Sequence, residues 1–361
     1  AERSALDVLQ GFAALQYNVV VCIPPSQNAE YLAALQALAC KVWTVACPLW
    51  AADAEPVFSV LAQSEEIIER FKVDAVHVNT IMLREPLVAA RKLGVPTVVH
   101  VRESLQHDAQ TCEAIGLNAE GIQAAVLRGA DHVVANSAFT AHGFSKPGAT
   151  HLVHNTVDVQ ALDLPNPIAD TVKVGLISSN QPKKGLEDFV EVARRLQDQT
   201  AAVELLLIGP ENEHIAALRQ QQAQGLVPTN LRFAGYAQDP VAALSQVNIV
   251  VNLSHFEESF GRTVLEAMAA RRPVVAYRWG ALPELVDQGA SGFLAPYRDV
   301  QAVAKALLWL SQNPDALVEM GEAGRQIALD RYSQEKMAGQ LSRAYARILH
   351  FATDSHPTLS V

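Results

Sequence analysis

Ile249-Val-Val-Asn-Leu-Ser-His-Phe-Glu-Glu-Ser-Phe-Gly-Arg-Thr-Val-Leu-Glu266-Ala-Met-Ala-Ala270 passes from an apolar run through a polar loop into a helical period. Ile249–Asn252 reads as a strand with both faces buried, Leu253–Glu257 as a loop, and Arg262–Ala270 as a helix. A second apolar run, Pro273–Tyr277, follows at once. Strand, helix and strand at this spacing form a unit of a parallel sheet covered by helices on both faces.

The same alternation extends in both directions. Towards the N-terminus, strands are expected at Val19–Ile23, Val42–Ala46, Ala75–Val78, Thr97–Val101, His132–Ala135, Lys173–Ile177, Glu204–Ile208 and Leu231–Ala234. Helices are expected between them at Tyr31–Ala39, Pro56–Phe71, Pro86–Leu93, Ala119–Leu127, Leu186–Gln197, Glu213–Gln224 and Pro240–Gln246. On the C-terminal side lie helices at Leu282–Gln288, Val300–Gln312, Pro314–Arg331 and Gln334–Leu349, then a polar tail from Phe351. Asn155–Val172 breaks the pattern: Leu164-Pro-Asn-Pro167 removes backbone donors and reads as a linker. The expected organisation is therefore an α/β domain over 1–160, a second over 172–332, and a terminal helix over 333–349 that packs back on the first. Ala1–Leu15 already reads as a helix, where an α/β domain normally opens with a strand, so the first strand is expected to be absent from these residues.

Composition sets limits. A net charge of −10 and a pI near 5.6 argue against a nucleic-acid binder, which carries a basic patch or stripe. Cys22, Cys40, Cys47 and Cys112 are scattered, with no metal spacing or disulfide framework, and fit a reducing cytosol. No apolar run approaches the roughly 18 residues of a membrane span, and the chain shows no signal-peptide pattern. His77, His132 and His154 sit in or beside strands without ligand spacing and read as structural. No GxGxxG follows a strand, which argues against a dinucleotide dehydrogenase.

In open parallel sheets, ligands sit beyond the carboxyl ends of strands. Ser178-Ser-Asn-Gln-Pro-Lys-Lys-Gly185 lies between a strand and a helix. Small residues, a helix N-terminus and the charges of Lys183 and Lys184 suit a diphosphate, although an ordinary strand-to-helix turn with exposed lysines has the same composition. It is not a P-loop, since the GxxxxGK[ST] order is absent. In Glu258-Ser-Phe-Gly-Arg-Thr-Val-Leu-Glu266, Gly261 permits close backbone approach. A carboxylate such as Glu258 or Glu266 accepts several hydroxyl hydrogen bonds at once. The plainer alternative is a helix start whose acids complement the dipole.

Glu258–Glu266 resembles the Glu-x7-Glu signature of retaining glycosyltransferases of family four, which have the GT-B fold. Glu266-Ala-Met-Ala-Ala, Arg272-Pro-Val-Val-Ala276, Gly280-Ala-Leu-Pro-Glu284 and Gly289-Ala-Ser-Gly-Phe-Leu294 resemble the same family in the same order. So do Lys184-Gly185, Leu207-Ile-Gly-Pro210 and Phe233-Ala-Gly-Tyr236. In the first half the likeness rests on Val133-Val-Ala-Asn-Ser137, Val153-His-Asn-Thr-Val-Asp158, and Ala1-Glu2-Arg3 as the remainder of a Gly-Gly-Ala-Glu turn. Two positions depart from the family: Ser179 stands where an arginine is usual, and Arg102 where a histidine often follows the Pro96–Val101 strand, with His100 two residues earlier.

The resemblance implies two Rossmann-like domains with parallel sheets facing across a cleft. It also implies transfer of a sugar from a nucleoside-diphosphate donor to an acceptor hydroxyl, with retention, in glycan or glycoconjugate biosynthesis. Glu258, Lys184 and Arg102 would carry the chemistry. Ser179, Lys183, Gly185, Gly209, Tyr236, Ser259, Phe260, Gly261 and Glu266 would surround the donor, and Glu103, Asn136 and Ser137 the acceptor. Arg102 suits an acceptor carboxylate or donor phosphate, or a structural pair with Glu103. Fixed positive charge replaces a metal, so no metal or further cofactor is required. The donor is a nucleotide sugar and the acceptor a sugar, a lipid-linked group or a small molecule, with peripheral membrane contact left open. Two alternatives stand beside this reading: a sugar-nucleotide epimerase or hydrolase, and a non-catalytic nucleotide-sugar-binding module of a larger polypeptide.

Overall fold

The computed structural model describes residues 2–167, 169–199 and 202–355, with 350–355 described by backbone alone. Ala1 and the tail beyond Ser355 lie outside the described residues. The chain forms two compact units: one comprises the chain to Thr156 together with the chain from Gln334, the other spans Val157–Ser333.

In the first unit β1 (Val20–Ile23) and β2 (Lys41–Thr44) form a small parallel sheet. β3 (Val76–Val78), β4 (Thr97–Val101), β5 (His132–Ala135) and β6 (Thr150–Leu152) form a second parallel sheet in that order. Alternate residues of β4 face opposite ways, and both faces are covered. Val98, with Val134 and Val153, packs against Val8 and Phe12 of the helix Glu2–Ala14 and Leu341, Tyr345 and Ile348 of the helix Gln334–Ser355. Val99 and Val101 pack against Trp50, Ile115, Ile122 and Phe144. Burial on both faces is why β4 and β5 read as continuous apolar runs rather than alternating ones. The C-terminal helix is bound to the first helix at close quarters. A Cβ on Gly11 would stand 2.7 Å from Leu341 Cδ1, and the rings of Phe12 and Tyr345 meet edge to face at 4.9 Å.

The second unit holds a six-stranded parallel sheet built from β7 (Val172–Ile177), β8 (Val203–Ile208), β9 (Leu231–Gly235), β10 (Ile249–Asn252), β11 (Val274–Tyr277) and β12 (Gly292–Ala295). The order is β12-β11-β10-β7-β8-β9. Counted within the unit this is 3-2-1-4-5-6, the doubly wound order. The chain reverses direction across the sheet between β7 and β10, and the loops leaving those strands part to opposite faces.

Two strands and two helices escape the sequence pattern. β6 and β12 are three- and four-residue edge strands, each held by one neighbour, too short to show a period. Ala109–Ile115 and Ala138–Gly143 are short helices that begin on Asp108 and Ser137, whose side chains accept from the backbone N–H of Thr111 and Thr140.

The proline-rich segment expected as a linker is, from Val157 onward, part of the second unit. Val157, Val159 and Leu162 are buried in its core. Carbonyls that no ladder satisfies receive arginine donors. Arg272 donates to Leu164 O at 3.2 Å and Pro165 O at 2.9 Å, and Arg325 donates to Val159 O at 3.0 Å and pairs with Asp163 at 2.9 Å. Burial, with Arg271 beside it, lowers the Arg272 guanidinium pKa to about 10.

Candidate functional site

The turn after β7 and the loop after β10 leave the sheet at the point where strand order reverses, and one ion pair joins them. Lys184 Nζ donates to Glu258 Oε1 at 2.8 Å, with the two side chains 24% and 15% exposed. Ser254 Oγ donates to the same oxygen at 2.7 Å and Asn252 Nδ2 at 3.5 Å. The face of Phe256 lies 4.4 Å from Lys184 Nζ and 5.4 Å from Lys183 Nζ, a geometry in which the ring quadrupole attracts both ammonium groups.

Glycines let these loops meet. Gly185 has φ +79°, and a Cβ there would fall 2.0 Å from Leu253 O. Gly280, at φ +57°, brings its chain against Glu258: a Cβ would stand 2.6 Å from Glu258 O, and Ala281 N donates to that oxygen at 2.9 Å. Any other residue at either position would meet backbone, which cannot give way cheaply.

Gly209 lies under the first turn. A Cβ on it would meet Ser178 O at 2.1 Å, so its small size serves the packing of that turn. The expected amide cradle over Ser178–Gly185 is narrower than the sequence implies. The N–H groups of Ser178, Asn180, Lys184 and Gly185 donate to Ile208 O, Ser178 Oγ, Gln181 O and Pro182 O, and Pro182 has none. Asn180, at φ +54° and 2% exposed, closes the turn by donating from Nδ2 to Pro210 O at 3.0 Å. Ser179 and Lys183 are exposed, and so is Tyr236 at 69% just beyond β9. Ser259 and Phe260 lead into Gly261, at φ +92°, which starts the helix Arg262–Ala269. One turn along, Glu266 is buried and accepts from Arg262 Nε at 3.0 Å.

In the first unit, polar residues line the carboxyl edge of the sheet. Arg102, next after β4, donates from Nε to Asn79 Oδ1 at 2.9 Å and from Nη1 to Asn155 Oδ1 at 2.6 Å. Nη2 lies 3.4 Å from His100 Nδ1. Because a guanidinium only donates, His100 Nδ1 is an acceptor there. His77 Nε2, 3.3 Å away, is then a donor, and His77 Nδ1 accepts from Tyr345 OH at 2.7 Å. Burial, then the charge of Arg102, lowers the His77 pKa to about 3 and that of His100 well below its ordinary value. Glu103 turns its carboxylate to Thr80 Oγ1 at 2.5 Å and to the Arg102 N–H at 2.8 Å. Burial raises its pKa against those bonds. Asn136 and Ser137 are fully buried. Ser137 Oγ accepts from Thr140 N, and Asn136 Oδ1 accepts from Thr140 Oγ1. Both side chains therefore build the turn that starts a helix.

A family model described as "Glycosyl transferases group 1" matches residues 171–313, and one described as "Glycosyl transferase 4-like domain" matches residues 1–156. The chain belongs to the family-four-like glycosyltransferases. The match over residues 1–156 ends where the first unit gives way to the second. Among curated glycosyltransferase relatives, the N-acetyl-alpha-D-glucosaminyl L-malate synthase of Bacillus anthracis is 30% identical over 184 residues, 50% of this chain and 47% of that protein. The phosphatidyl-myo-inositol mannosyltransferase of Mycobacterium leprae is 32% identical over 203 residues, 54% and 53% of the two chains. The chain thus spans about half the length of these relatives. Anabaena Alr3699/HepE, solved with UDP and glucose, superposes with a TM-score of 0.76 at 21% identity over 96% of this chain and 95% of that one. A glycosyltransferase from Rickettsia africae gives 0.77 at 16% identity over 96% and 94%. At those identities the likeness is one of fold, and that fold is GT-B.

Against the glycosyltransferase pattern, sequence reading missed Asn252, Ser254 and Phe256, which hold the Lys184–Glu258 pair. It also missed Asn79 and Asn155, which hold Arg102. Asn252 ends β10 and Ser254 follows it, both bonding Glu258 within one loop, while Phe256, Asn79 and Asn155 meet partners on other loops; each is a single polar or aromatic residue that no local period marks. Among the described residues no helix is long and apolar enough to cross a membrane.

Proposed function

We propose that this protein transfers a sugar from a nucleoside diphosphate to an acceptor hydroxyl, with retained anomeric configuration, in glycan or glycoconjugate biosynthesis. The observation that carries this reading is the Lys184–Glu258 pair set across the β7/β10 switch point, where a parallel sheet takes its ligand. An ammonium has three donors. One engages Glu258, and the others are available to the oxygens of a leaving diphosphate. Phe256 and Glu258 hold Lys184 before the donor arrives, so the positive charge meets developing negative charge with little reorganisation. Glu258 orients sugar hydroxyls. Glu266, steadied by Arg262, accepts from ribose. Phe260 and Gly261 bring the start of a helix, with its partial positive charge, to the same place. Tyr236 faces the base. In the first unit, Arg102 orients the acceptor.

The relatives' names support the class of reaction, a synthase or transferase that forms glycosides, and the complex of a structural neighbour with UDP and glucose supports the donor class. The test is a panel of UDP-, GDP- and ADP-sugars incubated with sugar, lipid-linked and small-molecule acceptors, with product linkage read by NMR. An α-glycoside from an α-linked donor is the expected product. An inverted product would overturn retention. Release of nucleotide regardless of acceptor would replace transfer by hydrolysis, and binding without turnover across the panel would leave a binding module.

A further inference from the structure

His255 lies between two residues that act on the Lys184–Glu258 pair: Ser254, which donates to Glu258, and Phe256, which faces Lys184. Its own contacts tie four segments together. The backbone N–H of His255 donates to Lys183 O at 2.8 Å, which joins the β10 loop to the lysine turn. The ring Nε2 meets Asp188 Oδ2 at 2.8 Å, on the helix that the lysine turn begins. His255 O accepts from Tyr297 OH at 3.2 Å. Asp188 is itself fixed: it is buried, Tyr277 OH donates to the same oxygen at 2.6 Å, and Arg298 lies 4.0 Å from the other. Tyr297 stacks on Trp279 at 4.2 Å.

A buried carboxylate needs donors to offset lost hydration, and here it takes them from His255 and Tyr277. This gives the ring of His255 a fixed place under the loop. A main chain fixed at residue 255 sets where the side chains of 254 and 256 point. Those two side chains define the position of Lys184 Nζ, so a loss at His255 moves the ammonium without touching it.

We propose that His255, clamped by Asp188, is a positioning residue that aims Lys184 at the leaving diphosphate. This inference rests on the transferase reading above. It requires His255 to act through Lys184 and not through general stability.

The experiment is a double-mutant cycle in sugar transfer on the full chain. His255→Ala is expected to lower kcat about tenfold, the effect of one charge-assisted hydrogen bond, with the donor KM changed less than about threefold. His255→Gln, whose side-chain amide reaches Asp188, should recover most of the loss. In a Lys184→Ala background, His255→Ala should cost little more, because coupled residues are non-additive. Additive effects, an unchanged kcat in His255→Ala, or no recovery with glutamine would each overturn the proposal. Melting temperature and UDP titration accompany each variant. If the wild-type protein neither bound UDP, GDP or ADP nor transferred sugar, the transferase reading would fall and this inference with it. If wild-type transfer were present with additive variants, only the role of His255 would fall.

Discussion

The carboxyl edges of the four-stranded and six-stranded sheets place one cation each in different surroundings. In the second unit, Lys184 is held by an opposite charge, Glu258, and by the face of Phe256. In the first, Arg102 is held by the side-chain carbonyls of Asn79 and Asn155, beside imidazoles that burial keeps neutral. An ammonium is a compact point charge, and Glu258 and Phe256 hold this one in place with donors to spare. A guanidinium braced by fixed carbonyls is a rigid fork. On the proposed reading, the difference suits the Lys184 edge to charge that develops during a reaction and the Arg102 edge to holding a group still.

The largest effect expected from breaking this contrast is on the ammonium. Lys184→Ala should slow transfer about ten- to a hundredfold or more at subsaturating donor, since a hydrogen bond to a charged group contributes roughly 1.5–3 kcal/mol. Turnover equal to wild type would remove Lys184 from the site. Glu258→Gln should abolish most transfer while the fold is retained, as circular dichroism and a melting curve would show. Full activity in that variant would unseat the donor-sugar assignment.

Arg102→Lys is expected to have a smaller effect. It keeps the charge and loses the fork, so the acceptor KM should rise about tenfold with the donor KM little changed. Equal changes in both constants would make Arg102 a donor contact and blur the contrast between the two edges.

Stability offers two further tests. Arg325→Ala would strand the carbonyls of Val159 and Ala269, buried acceptors whose loss costs about 1–3 kcal/mol each. Urea melts should show a loss of about 3 kcal/mol in the second unit, and a loss below about 0.5 kcal/mol would mean that the 157–167 segment needs no such anchor.

The first unit should respond to acid. The folded-state pKa of His77 lies near 3, below the roughly 6.5 of an unfolded chain. The unfolded state therefore binds more protons in that window, and stability falls as pH drops from about 6.5 towards 3. About 2 kcal/mol should disappear between pH 7 and pH 5. This is measurable as faster hydrogen exchange in β3 and β4. A flat profile would mean that the imidazole pair is not held neutral.

The apolar runs of β4, β7, β8 and β10 are legible because both faces of each strand are largely buried, with Lys173 in β7 and Glu204 in β8 the charged exceptions. The Glu258–Glu266 segment is legible for another reason: a strand end, a glycine and a helix start are local events. Ser137 shows the limit of that kind of reading. A serine after a strand looks the same whether it meets a ligand, caps a helix or does both, and only the structure shows that Ser137 caps the helix Ala138–Gly143. The proline segment after Thr156 shows another limit, since its anchors Arg272 and Arg325 lie more than a hundred residues along the chain.

The sequence by itself therefore determined the two-unit α/β architecture, the strand–glycine–helix segment around Glu258–Glu266 and the membership of a transferase family. All three depend on short-range spacing and on which residues avoid water. Only the tertiary structure decided that Glu258 meets Lys184, that Phe256 and His255 brace that meeting, and that neutral side chains hold Arg102. Those pairings join loops from different strands, and the sheet order that brings them together depends on all the strands at once.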